Sequence, residues 1–141
     1  MFASHHSKMS SIARLYQVVQ VDTAVAGASP HRLIDMLFEE FIASCTRARG
    51  AIRARDVQEK GRAIGRAVRI VEEGLRGGLN MKDGGDLART LQDLYAYVAV
   101  RLTQANLHSD EAAVAECVSL IQPIHDAWRA IGPHVGERDA H

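Results

Sequence analysis

Apolar positions along this chain recur at the three- and four-residue spacing of amphipathic helices. Residues 12 to 21, IARLYQVVQV, put Ile12, Leu15, Tyr16 and Val19 at i, i+3, i+4 and i+7, one narrow stripe on a short helix over about 11–21. A helix that short is marginal alone in water, so it must rest on another surface. Four longer helices follow. The first opens at ASPHRLIDMLFEEF, with Ser29 as N-cap and Pro30 at the first helical position, and runs to about Arg53. Asp56 and Glu59 have capping-box spacing and open a second helix that ends near Gly77 and Gly78, two glycines suited to a left-handed stop. A third starts around DGGDLARTL and reaches about Leu107; the fourth is capped by Ser109 or Asp110 and ends before Gly132. Proline is absent between Pro30 and Pro123 and β-branched runs are short. Each long helix has about 22 residues, some 33 Å, and short loops join them, so the economical packing is an antiparallel up-down bundle. The predicted fold is all-α: a four-helix bundle over 29–132, an arm with a short capping helix over 1–28, and a flexible tail over 133–141. Pro123 should bend the fourth helix.

The stripes leave residues over. Leu87, Leu91, Leu94, Tyr95, Val98, Leu102 and Ala105 form the core arc of the third helix, with Tyr97 and Val100 well outside it. On the second, Ile64, Ala67, Val68, Val71 and Leu75 face the core and Ile70 projects away. The first carries an unusually wide apolar face, from Leu33, Leu37 and Phe41 round to Ile34, Phe38, Ile42 and Cys45. Surplus apolar residues of this kind are either ordinary surface or the walls of a groove for an apolar chain. Gly61 and Gly65, one turn apart, each weaken a helix by about 1 kcal/mol relative to alanine. Their flat strip suits a closely packed neighbouring helix or a bound chain.

Charge and chemistry narrow the function. Among 141 residues, 17 basic side chains are matched by 17 acidic ones, which argues against nucleic acid or an anionic membrane as partner. No run approaches the roughly 18 apolar residues of a membrane span, and MFASHHSKMSS lacks the apolar stretch of a signal peptide. A cytosolic protein is expected. Cys45 and Cys117 lie in helical patterns without C-x-x-C spacing and read as buried thiols, at similar depth if the helices alternate up and down. Of seven histidines, none stands in an E-x-x-H or H-x-x-x-H pair, and His31 and His125 read as solvated helix positions. There is no phosphate loop and no nucleophile elbow. No catalytic, metal or cofactor site is expected, and binding is the expected role.

Three segments then carry a resemblance: QVDTAVAGASPHRLIDMLFEEF, GLNMKDGGDLARTLQDLYAYVAVRLTQANLHSD and IHDAWRAIGP. Together they resemble the flagellar secretion chaperone family over about residues 12–133, through Ala28-Ser29-Pro30, Met36-Leu37-Phe38, Gly84-Gly85, Leu94-Tyr95, Tyr97, Arg101-Leu102, Ala105-Asn106 and Ala127-Trp128. Glu40 stands where the family pattern usually has glycine, and Pro123 interrupts a helix usually free of proline. The resemblance implies an antiparallel four-helix bundle capped by a short N-terminal helix. It implies a client, the disordered C-terminal segment of flagellin, kept from polymerising in the cytosol and handed to the membrane protein of the flagellar export gate. The surface expected to take this client combines the surplus Ile70, Tyr97 and Val100 with Leu91, Tyr95 and Val98, and with Arg101 and Asn106 from the matched motifs. Ile12, Leu15, Tyr16 and Val19 are expected on the same surface, as a displaceable lid or a fixed cap, and Tyr16 matches the family tyrosine linked to client and export-gate contacts. The alternative occupant of the surplus surface is a second copy of the chain in a weak homodimer.

Overall fold

The computed structural model describes residues 27–132; the expected N-terminal helix with Ile12, Leu15, Tyr16 and Val19, and the tail beyond 132, lie outside the described residues. Ser29 opens α1 (Pro30–Ala54), its hydroxyl accepting a hydrogen bond from the Arg32 N–H at 3.1 Å, with Pro30 in the first turn. The helix stops at Arg55, whose left-handed backbone (φ 57) turns its N–H back onto the carbonyls of Ala51 and Ile52. Asp56 caps α2 by accepting from the Glu59 N–H at 3.1 Å. This helix is α-helical over Val57–Arg69 and continues as a π-helix over Ile70–Arg76. α3 spans Gly85–His108, and α4, capped by Asp110, spans Glu111–Ile131.

Side-chain pairs fix the directions of the helices. Arg49 and Arg53, late in α1, hold Glu111 at the start of α4 at 3.3 and 2.5 Å, while Asp35, early in α1, meets His125 and Arg129 late in α4. Those two helices are therefore antiparallel. Lys60 at the start of α2 reaches Ser109 just past α3, and Arg101 late in α3 bonds Glu116 early in α4. α1 packs mainly on α2 and α4, and α3 packs on the same pair, which makes the antiparallel up-down four-helix bundle. Leu37, Phe38, Phe41 and Cys45 of α1 meet Ile64, Val71, Leu102, Val114, Cys117 and Ile121 in its core. The two cysteines are free and fully buried, and Cys117 is near enough to affect the titration of Cys45.

The structure corrects several expectations. Ile70 is completely buried, not surplus. α2 touches both α1 and α3, so its buried arc is wider than a single-neighbour stripe and includes Lys60, Ala63, Ile64, Ala67, Ile70 and Val71. Leu87, expected in the core, is 68% exposed because it lies in the first turn of α3, at the margin of the bundle. Gly77 does not take a left-handed conformation (φ −63). A Cβ there would lie 2.5 Å from the Glu73 carbonyl oxygen, so close backbone approach is what excludes a side chain. No neighbouring helix lies against Gly61 or Gly65, since a Cβ at either would meet nothing within 4 Å. α4 stays helical through Pro123.

Neither His31 nor His125 is simply solvated. His31 stacks on Trp128 (centroids 4.7 Å apart), donates from Nε2 to the Trp128 carbonyl at 3.0 Å, and its own carbonyl accepts the indole N–H at 3.0 Å. His125, 2% exposed, stacks on Phe38 and donates from Nε2 to Asp35 Oδ1 at 2.7 Å. The carboxylate that makes burial of this imidazole tolerable sits 90 residues away in sequence, beyond the reach of any local pattern. Burial opposes the charge on Asp35, but hydrogen bonds from His125, Arg129 and Arg32 outweigh it and hold the carboxyl below its ordinary value of 3.8.

Two measurements check this packing. Ile70→Ala should lower stability by roughly 3 kcal/mol in urea denaturation, as for a buried aliphatic truncation, against about 0.5 kcal/mol or less for a surface residue. Because Asp35 is more acidic folded than unfolded, its pairing contributes fully above the ordinary carboxyl value and is lost as pH falls through the lower folded one. Asp35→Asn should therefore be less stable than the parent at neutral pH, and the gap between their melting temperatures should narrow below about pH 4.

Candidate functional site

α3 supplies the outward apolar surface. Its inner face is set by Ala88, Tyr95, Val98, Ala99, Leu102 and Ala105, all buried, which turns Tyr97, Val100 and Leu107 outward at 45, 57 and 77% exposure. Of the sequence-predicted site, Tyr97 and Val100 are exposed and Leu91, Arg101 and Asn106 are half-buried. Tyr95, Val98 and Ile70 lie in the core, where they support this surface from beneath. The structure thus brings one helix's exposed residues together and moves three predicted contacts inside.

The edge of the surface is an electrostatic seam between α3 and α4. Glu116 accepts hydrogen bonds from the Tyr97 hydroxyl and, at 2.8 Å, from Arg101 Nε. The carboxylate beside it raises the Tyr97 phenol above its ordinary value, and the Tyr97 and Arg101 donors hold Glu116 below its own. Because the two helices are antiparallel, Leu94 and Leu87, back along α3 from Tyr97, lie toward Leu120, Ile124 and Ile131, further along α4. Leu94, Leu120 and Ile124 are half-buried, Leu87 and Ile131 exposed. The seam therefore continues the apolar surface onto a second helix. The signal for its α4 half was present in the sequence, since Glu116, Leu120, Ile124 and Ile131 fall on one side of a helix at i, i+4, i+8 and i+15.

The chemistry available here is that of contact. Burial pushes both thiols up to about 12, so neither is a ready nucleophile. Among the described residues no three His, Cys, Asp or Glu side chains group as a metal site, and no helix is long and apolar enough to cross a membrane.

Comparison with known proteins places this surface in context. The family model described as Flagellar protein FliS matches residues 12–135. The chain belongs to the flagellar secretion chaperone family. The Flagellar secretion chaperone FliS of Salmonella typhimurium is 42% identical over 120 residues, 85% of this chain and 89% of the relative. Flagellar secretion chaperone FliSB of Pseudomonas aeruginosa is 37% identical over 116 residues, 82% and 91% of the two chains. FliS of Vibrio cholerae is 33% identical over 125 residues, 89% and 91%. Membership of this family makes the chain a flagellar secretion chaperone. In this member of the family Glu40 is a joint: Arg47 and, from α2, Arg66 both donate to its Oε1 at 2.9 Å, and they hold it below the ordinary glutamate value although burial opposes the charge.

Proposed function

We propose that this flagellar secretion chaperone binds the disordered C-terminal segment of flagellin in the cytosol, prevents its premature polymerisation and delivers it to the membrane protein of the export gate. The observation that carries the reading is the exposed apolar face of α3 continuing into the α3–α4 seam, on a chain of this family. A segment that orders on binding loses conformational entropy, and only a long apolar track returns enough free energy to offset it. Leu91, Tyr97, Val100, Arg101 and Asn106 contact the client, with Ile70, Tyr95 and Val98 holding α3 in place from within. The open strip at Gly61 and Gly65 gives a second place where an extended backbone can lie close. Ile12, Leu15, Tyr16 and Val19 cover the same track when no client is bound, and Tyr16 takes part in the contact with the export gate.

Calorimetric titration with a peptide of about the last forty residues of the same organism's flagellin tests this reading. Saturable one-to-one binding with a negative heat-capacity change is expected. Tyr97→Ala should weaken it about tenfold, as at an aromatic contact residue, with the melting temperature kept within about 3 °C. No heat of binding, together with a mass that rises with concentration, would instead assign the apolar surface to a homodimer.

A further inference from the structure

At the end of the bundle away from Asp35 and His125, the loop between α1 and α2 meets the turn between α3 and α4. A cavity of about 310 Å³ lies between them, lined by Ala51, Ile52, Arg55, Asp56, Val57, Lys60 and Ser109. That volume falls at the small end of the range for ligand sites, about 300 to 1,000 Å³.

The charges around it are unusual for this molecule. Every other arginine among the described residues is ion-paired, most of them within or between helices. Arg55 has no such partner among the described residues. Lys60 is only 8% exposed, yet the one bond recorded for its ammonium is donated to the Ser109 hydroxyl at 2.7 Å. A buried cation without a counter-charge is unfavourable, and an ammonium has three donors to satisfy. The Ser109 oxygen accepts one of them, which leaves its own O–H free to donate. Asp56, which also lines the cavity, accepts the Glu59 N–H at Oδ1 and keeps its negative charge, but it forms no ion pair with Lys60 or Arg55.

The helix ends beside the cavity are already capped. α2 begins at the cavity wall, with its first turn capped by the Asp56 carboxylate. α1 and α3 end nearby, but the carbonyls of Ala51 and Ala105 are already engaged, accepting the N–H groups of Arg55 and Asp56 and of Ser109 and Asp110. The cavity thus presents two cations against the single carboxylate of Asp56, a hydroxyl donor, and an apolar wall of Ala51 and Ile52 with the exposed Val57 at its rim. A ligand that answers all of these is an acceptor-only group on a small apolar body.

We propose that this cavity is a carboxylate-binding site, which takes a carboxylate borne on an apolar body of about one or two residues, either a free small acid or the C-terminal end of a polypeptide. Lys60 and Arg55 supply the charge, the Ser109 hydroxyl adds a third donor, and Ala51 and Ile52 receive the apolar part, with Val57 at the rim. The site is separate from the α3–α4 surface and does not depend on the identity of any client.

The test is an NMR titration of the isotope-labelled full chain with N-acetyl-leucine, its uncharged amide N-acetyl-leucinamide, inorganic phosphate, and a hexapeptide ending in leucine with a free C-terminus. N-acetyl-leucine should shift the amide signals of residues 55–60 and 109 saturably, with the amide at least about tenfold weaker, the loss expected when a charge-assisted hydrogen bond is removed. Lys60→Met should abolish the response. Ser109→Gly, which removes the hydroxyl at a left-handed position (φ 51) where glycine is at ease, should keep the fold and weaken binding several-fold. A hexapeptide that binds tighter than N-acetyl-leucine identifies a chain end as the ligand, and equal affinity identifies a free acid; both support the site. Equal responses to acid and amide, phosphate binding tighter than either carboxylate, no saturable shift below about 20 mM, or unchanged affinity in a folded Ser109→Gly protein would each overturn it.

Discussion

The bundle depends on the breadth of the apolar face of α1. Leu33, Leu37, Phe38, Phe41 and Cys45 span more of the helix than one neighbour can cover, and α2 and α4 close over it from two sides. α3 then completes the square against those same two helices. Apolar burial alone does not choose a register, because it is non-directional. The polar joints choose it: His31 with Trp128 and Asp35 with His125 and Arg129 at one end, Arg49 and Arg53 with Glu111 at the other. Sliding α4 by one turn along α1 would break both ends and strand a buried imidazole. The outward aspect of α3 is therefore fixed in part by joints between α1 and α4, far from Tyr97 in sequence.

Much of this was legible in the chain. Ser29, Pro30, Asp56 and Asp110 announced the helix starts because caps act through neighbours three residues away, a distance that sequence spells out. Tyr97 and Val100 were identified as outward-facing because the stripe of α3 is regular. The failures came where a residue's surroundings are set by two partners or by a distant one. Ile70 looked surplus against one neighbour's stripe and is buried because α2 has two. His125 looked solvated because its carboxylate partner lies in another helix. The Gly77 expectation took the commonest use of glycine at a helix end and missed the crowding that a π-helical last turn creates. The α4 half of the apolar seam was different, since its spacing was readable and only the antiparallel pairing showed its relevance.

The matched charges bear on how a partner is met. With acidic and basic groups equal in number and the arginines of the helices bound to neighbouring carboxylates, the fields of opposite charges cancel within a few ångströms of the surface. A molecule diffusing toward it is neither drawn in nor turned away at long range. Encounter then proceeds at the unsteered rate of about 10⁵ to 10⁶ M⁻¹ s⁻¹, set by the fraction of collisions that arrive correctly oriented, and added salt changes it little.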